Sequence, residues 1–153
     1  MKESKKLSVS AIKDGTVIDH IPAESLFKVL TILDFESLKS QMTFGTNLFS
    51  EKLGLKAIIK VSNKYFEDQE INRIALVAPE AKLNIIKEYE VVEKKIVEIP
   101  DKITGIVKCV NPKCITNHDE ISTRFEVINK TEVALKCHYC EKITNQTHMK
   151  IIK

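Results

Sequence analysis

At 153 residues, 43% hydrophobic and 29% charged, the chain is long enough for one globular domain of about 100 residues and a smaller companion. No apolar run approaches the roughly 18 residues that a membrane helix needs, which excludes a helical span. The formal charge of +3 divides unevenly: residues 1–100 carry 15 Lys and Arg against 15 Asp and Glu, and residues 101–153 carry 9 against 6.

Taken in chain order, the Lys-rich start leads into alternating residues rather than an apolar signal core, so a cytoplasmic chain is expected. Leu7, Val9 and Ala11 alternate with polar residues, and after Asp14-Gly15 a second extended run covers Thr16 to Ile21, so a strand, a turn and a strand are predicted. Pro22 suits the first helical position, and Ala23, Leu26, Phe27, Leu30 and Leu33 follow with helical spacing. Met42, Phe44, Thr46 and Leu48 alternate again, and Lys56 to Val61 is rich in Ile and Val, predicting two more strands. Glu67-Asp68 can cap a second helix with Ile71, Ile74, Ala75 and Ala78 on its apolar side, stopped by Pro79. One extended stretch, Lys82 to Val97, completes the set. Strand, helix, strand, strand, helix, strand is the split βαβ or ferredoxin-like order (βαββαβ), here with an extra N-terminal hairpin element. The predicted fold is therefore α+β, with this domain at residues 1–100 and a small all-β domain at residues 101–153 beyond the break at Pro100-Asp101.

The second domain contains every cysteine of the chain: Cys109, Cys114, Cys137 and Cys140. Their spacing, C-x4-C and C-x2-C separated by 22 residues, is what a tetrahedral four-cysteine site requires, each pair coming from one tight turn. Two disulfides are the alternative that an oxidising compartment would favour, and four free thiols would not call for paired spacing. An iron centre has the same ligand set, usually with two intervening residues in both turns. Zinc is the expected cofactor, one ion per chain. With four protein ligands it leaves no position for an activated water, so its role is structural. Ile103, Ile106, Val107, Phe125, Val127, Val133 and Leu135 then form a small antiparallel sheet around a core that metal helps to stabilise. His118 and His148 lack ligand spacing. Four thiolates on Zn²⁺ contribute a net −2, which lowers the segment's excess to about +1 and leaves no strong footprint for nucleic acid.

Residues 1–100 carry no nucleophile and base motif and no Gly-rich phosphate loop. Asp19 and His20 are adjacent in a strand, where neighbours point to opposite faces, so on spacing alone they read as an ordinary strand end. Lys56 and Lys60 share one strand face and would meet Lys94 if their strands lie close together. Two rival functions are a zinc-ribbon nucleic-acid-binding protein, which the balanced charge and 6% aromatic content do not favour, and an enzyme using Asp19-His20 or a cysteine.

The stretch AIKDGTVIDHIPA at Ala11 to Ala23, Lys56 and Lys60, IALVAPEA at Ile74 to Ala81, YEVVEK at Tyr89 to Lys94, and LKCHYCEK at Leu135 to Lys142 closely resemble the regulatory chain of aspartate carbamoyltransferase, nearly end to end. The resemblance implies a non-catalytic subunit of pyrimidine biosynthesis. Its N-terminal allosteric domain would bind CTP, UTP or ATP, and its zinc domain would dock on catalytic chains. It also implies regulatory homodimers, three of which bridge two catalytic trimers in a dodecamer. By that carry-over Ile12 and Tyr89 offer backbone groups to the base, Asp19 accepts from ribose, and Lys60 reaches base and ribose. Val9, Ala11, Val17, Asn84, Ile86 and Val91 line the pocket, and His20 and Lys94 face the triphosphate with Lys56 nearby. Val110 to Lys113 and His138 to Lys142 would face the catalytic chain, with Asn111 and Glu141 as polar contacts; Lys113 and His138 depart from the better-known members. Neither nucleic acid nor membrane is an expected partner.

Overall fold

The computed structural model describes residues 11–152. The strand expected around Leu7 and Val9, and with it the Val9 assignment, lies outside the described residues. The first sheet has the order β2-β3-β1-β4-β5, antiparallel throughout. Its strands are β1 (Gly15–Pro22), β2 (Met42–Ser50), β3 (Gly54–Ser62), β4 (Lys82–Lys87) and β5 (Glu90–Ile96). Helix α1 (Leu26–Ile32) connects β1 to β2, and α2 (Asp68–Asn72) connects β3 to β4. With β3 inserted between β1 and β2, the first four strands have the ferredoxin-like arrangement that the element order predicts.

Local chemistry explains most of these elements. A 3-10 turn, Ala23–Ser25, precedes α1, where Leu26, Val29, Leu30 and Leu33 are buried on one face while Phe27, about 100° round the helix from Leu26, is 69% exposed. Phe27 instead meets Phe44 edge to face at 6.4 Å. Helix α2 opens with a reciprocal capping box between Glu67 and Glu70, which satisfies two orphan N–H groups, and buries Ile71 before tightening into a 3-10 turn over Arg73–Leu76. Ile74, Ala75 and Ala78 are buried, as their spacing predicts.

The stretch read as one strand, Lys82 to Val97, is a hairpin. Glu88 and Tyr89 both have positive φ, 52° and 67°, the conformation of a type I′ turn that usually takes Asn-Gly. Tertiary bonds impose it: the Glu88 N–H donates to Asp14 Oδ1 at 3.1 Å and the Tyr89 N–H donates to the Lys13 carbonyl at 2.8 Å.

Gly15 begins β1 at φ 139°, and a Cβ there would lie 2.1 Å from the Val61 carbonyl oxygen. Because the obstacle is backbone, it cannot swing aside. Gly15→Ala is expected to destabilise the first sheet by roughly 2–4 kcal/mol, measured by urea unfolding. An unchanged midpoint would contradict this packing.

The second sheet, order β6-β7-β8-β9, contains β6 (Lys102–Thr104), β7 (Arg124–Asn129), β8 (Ala134–Cys137) and β9 (Ile143–Asn145). Ile103, Ile106, Val107, Phe125, Val133 and Leu135 are buried there, with Val127 packed at the margin. Buried residues of both sheets belong to one continuous apolar cluster. One side-chain bond also joins the two parts, from Gln146 Nε2 to the Leu76 carbonyl at 3.1 Å. Among the described residues no helix is long and apolar enough to cross a membrane.

Candidate metal centre and charged sheet face

Two turns bring the four thiols together. In the first, the Asn111 side chain accepts from the Lys113 N–H at 3.0 Å and the Cys114 N–H donates to the Asn111 carbonyl at 3.0 Å. Asn117 Nδ2 fastens that turn by donating to the Cys109 and Asn111 carbonyls, at 3.2 and 2.7 Å. In the second, Glu141 takes left-handed φ of 64°, and its N–H donates to the Cys137 carbonyl at 3.0 Å. The His138 N–H ties this turn to β7 through the Arg124 carbonyl at 2.8 Å.

The resulting Sγ atoms all lie within 4.8 Å of one another. Cys109 and Cys140 are 3.6 Å apart, Cys114 and Cys137 3.7 Å. A tetrahedral ion with Zn–S bonds of about 2.3 Å separates its sulfurs by about 3.8 Å, so the donor set fits zinc in identity, number and size. Neither His118 nor His148 belongs to the cluster. One structural zinc ion per chain is what these cysteines hold. The thiols differ in readiness: burial pushes Cys109 and Cys137 up. Cys140 is brought down to about 7, burial acting upward but being outweighed by hydrogen bonds, first from the Lys142 backbone and then from Asn111 and the neighbouring thiols. Metal uptake therefore displaces protons from the buried thiols.

The turns also display side chains outward. Lys113, His138 and Glu141 are exposed and Asn111 is half-buried. Val110, Ile115 and Tyr139 expose apolar surface between them. The Tyr139 ring stands edge-on to His138 at 4.9 Å.

In the first sheet, one face carries the hydrophobic core and the other carries charge. Strand pairing aligns Lys60 with Val17, Val17 with Asn84, and Asn84 with Lys94, so these four form a single row across β3, β1, β4 and β5. Directly opposed residues share a face. Lys60 and Lys94 do share one, but two strands lie between them. At a spacing of about 4.8 Å per strand their backbones are about 14 Å apart, so they do not meet. Ile86 is aligned with Val91 on the same face, and an irregularity in β5 lets Val91 and Lys94 point alike although three residues separate them.

Asp19 and His20 are the larger departure from simple alternation. A bulge between Ile18 and Ile21, with His20 in left-handed φ of 62°, breaks the period of two. His20 Nδ1 comes within 3.8 Å of Asp19 Oδ2, which is too long for a hydrogen bond, and that buried nitrogen has no hydrogen-bond partner among the described residues. Asp19 accepts from the His20 N–H at 2.6 Å and from Lys56 Nζ at 3.0 and 3.3 Å. Lys56 is thus an ion-pair member rather than a solvated lysine. Burial holds the Lys60 ammonium below the usual lysine range, opposed by the Asp19 charge. Ile12 is half-buried and Ala11 exposed beside the hairpin turn that carries Tyr89.

A sheet with charge on one face, joined to a four-thiolate unit with no open coordination position, is the arrangement of a metal-stabilised binding subunit. Models of the aspartate carbamoyltransferase regulatory chain match it twice, the allosteric domain at residues 7–98 and the metal binding domain at residues 101–150. Aspartate carbamoyltransferase regulatory chains of Bacteroides thetaiotaomicron and Bacteroides fragilis are 56% and 55% identical over 153 residues, 99% of this chain and 100% of each relative. That of Thermococcus sibiricus is 53% identical over 138 residues, 90% of this chain and 91% of the relative. The chain belongs to the aspartate carbamoyltransferase regulatory chain family. It is a regulatory and not a catalytic polypeptide of pyrimidine biosynthesis, with an allosteric and a metal-binding part. Nothing in the fold or the relatives favours a zinc-ribbon nucleic-acid binder.

Proposed function

We propose that the chain binds nucleoside triphosphates on the charged face of its first sheet and relays their effect to catalytic chains docked on the zinc-held turns. The observation that carries this reading is the row of Lys60, Val17, Asn84 and Lys94, with Asp19 on the same face two residues beyond Val17 and His20 turned aside at the bulge. Exposed Val91, seated over the buried Val17 and Ile86, suits a base, with Ala11 and Ile12 at its margin. A carboxylate offers roughly four lone-pair positions, so Asp19 retains capacity for a ribose hydroxyl beside Lys56 and the His20 N–H. The unpartnered imidazole nitrogen of His20, with Lys94 and Lys56, supplies donors and charge for polyphosphate. Because the Tyr89 N–H is given to Lys13, its carbonyl is the backbone group it would offer to a base.

Residues 1–100 would then form the allosteric domain and residues 101–153 the docking domain, in the cytoplasm, with CTP, UTP and ATP as effectors. Asn111, Lys113, His138 and Glu141 would contact the catalytic chain. A homodimer is supported by β2, a nine-residue strand at the edge of the sheet among the described residues, which exposes its own Phe44 and Phe49 beside exposed Phe27 and Leu55. Such an edge is a template for pairing with its own copy, whereas the opposite edge, β5, is blunted by Glu90, Glu93, Lys94 and Lys95. Three such dimers bridging two catalytic trimers give the dodecamer.

Mixing the zinc-loaded chain with cognate catalytic trimer is expected to give one large complex whose aspartate saturation curve moves with added nucleotide. The chain alone should sediment as a dimer. No complex on size-exclusion chromatography, or a curve indifferent to every triphosphate, would refute the reading.

A further inference from the structure

Just ahead of Cys109 the chain pairs antiparallel with residues near its last described position. Val107 bridges Ile151, the Lys108 N–H donates to the Lys150 carbonyl at 2.9 Å, and the Ile152 N–H donates to the Ile106 carbonyl at 3.0 Å. This register sets Lys108 directly opposite Lys150, with both side chains on the same side of the pair. Like charges directly opposed on antiparallel strands are destabilising. Neither ammonium has an ion-pair partner among the described residues. Both line a cavity of about 380 Å³ that Cys109, His148, Asn117, Val110 and Pro112 also line, and among the described residues no carboxylate lines it. Asn117 is already committed to the Cys109 and Asn111 carbonyls, Cys109 to the metal site and His148 Nδ1 to Thr147 Oγ1, so the side-chain donors left for a ligand are the two lysines and His148 Nε2.

We propose that this basic cup receives an Asp or Glu side chain of the catalytic chain. The inference rests on the zinc turns being the docking surface. Val110 and Pro112 belong to the first of those turns, so a partner that covers the turn also covers the cup. A carboxylate placed between Lys108 and Lys150 removes their mutual repulsion, and a partner seated over Val110 and Pro112 excludes water from the pair, which strengthens it. The cup would thereby set the register of docking at a position separate from Asn111, Lys113, His138 and Glu141.

The test uses the full-length zinc-loaded chain and its catalytic trimer, with dissociation constants measured by sedimentation between 50 and roughly 300 mM NaCl, a range over which exposed charge pairs are progressively screened. Lys108→Glu and Lys150→Glu are each expected to weaken assembly at least tenfold at low salt and to flatten its salt dependence, while zinc content and CTP binding stay at wild-type levels. Lys108→Gln and Lys150→Gln should give a smaller loss in the same direction, and they decide the matter if a reversal variant fails to retain zinc. Wild-type affinity and salt dependence in the Gln variants would overturn the proposal. So would inorganic pyrophosphate binding that the variants abolish without any change in assembly, which would assign the cup to a free anion. Failure of the wild-type chain itself to assemble would instead refute the docking reading on which the proposal rests.

Discussion

Stripping zinc with a mercurial that captures the four thiolates is expected to release the regulatory chain from the catalytic trimer and unfold its second sheet, with one zinc freed per chain. The expected effect is large because structural zinc contributes on the order of 10 kcal/mol to folding. All four Sγ atoms lie within 4.8 Å of one another, and the turns that hold them are the same turns that display Lys113, His138 and Glu141. Loss of the ion therefore removes the surface together with the core beneath it. Zinc release followed with a chromogenic chelator, in parallel with sedimentation, checks the coupling. A metal-free chain that still assembled would reduce the ion to a local staple.

Lys60→Ala is expected to weaken CTP binding roughly ten- to hundredfold, the usual cost of losing a hydrogen bond to a charged group in a partly desolvated place. Lys94→Ala should cost less, about fivefold, and its effect should fade with salt, because Lys94 is exposed while Lys60 is half-buried. Assembly with catalytic chains should persist in both variants. Calorimetric titration at two ionic strengths separates the two lysines. Unchanged CTP affinity in Lys60→Ala would remove the ribose and base assignment of that residue.

Part of this molecule can be read directly from its residues. The paired cysteine spacing leads to the metal site because two tight turns of fixed length leave the sulfurs little freedom. The ferredoxin-like order follows from apolar period. What local pattern misses is imposed from elsewhere in the fold. Glu88-Tyr89 has no Asn-Gly signal, since Asp14 and the Lys13 carbonyl hold that turn in place. Helical spacing groups Phe27 with the core, but it lies about 100° round α1 from Leu26, off the face that Leu26, Val29 and Leu30 bury. Alternation puts Asp19 and His20 on opposite faces, a rule that a bulge suspends and that no composition signal announces. The proposed ligand face as a whole has no motif, because it is a row across four strands whose members are distant in sequence. Only the resemblance to a known family could find it.

The left-handed backbone of His20 carries a consequence for how the chain can be improved or worn down. A bulky residue held at positive φ costs about 1–2 kcal/mol, and the bulge interrupts the regular pairing of β1 with β3. A straighter, more stable β1 is available to the sequence through ordinary substitutions, and it would return Asp19 and His20 to opposite sides. If Asp19 and His20 serve the proposed effector site, selection for heat resistance alone would thus tend to erase that site first and leave the rest of the sheet intact.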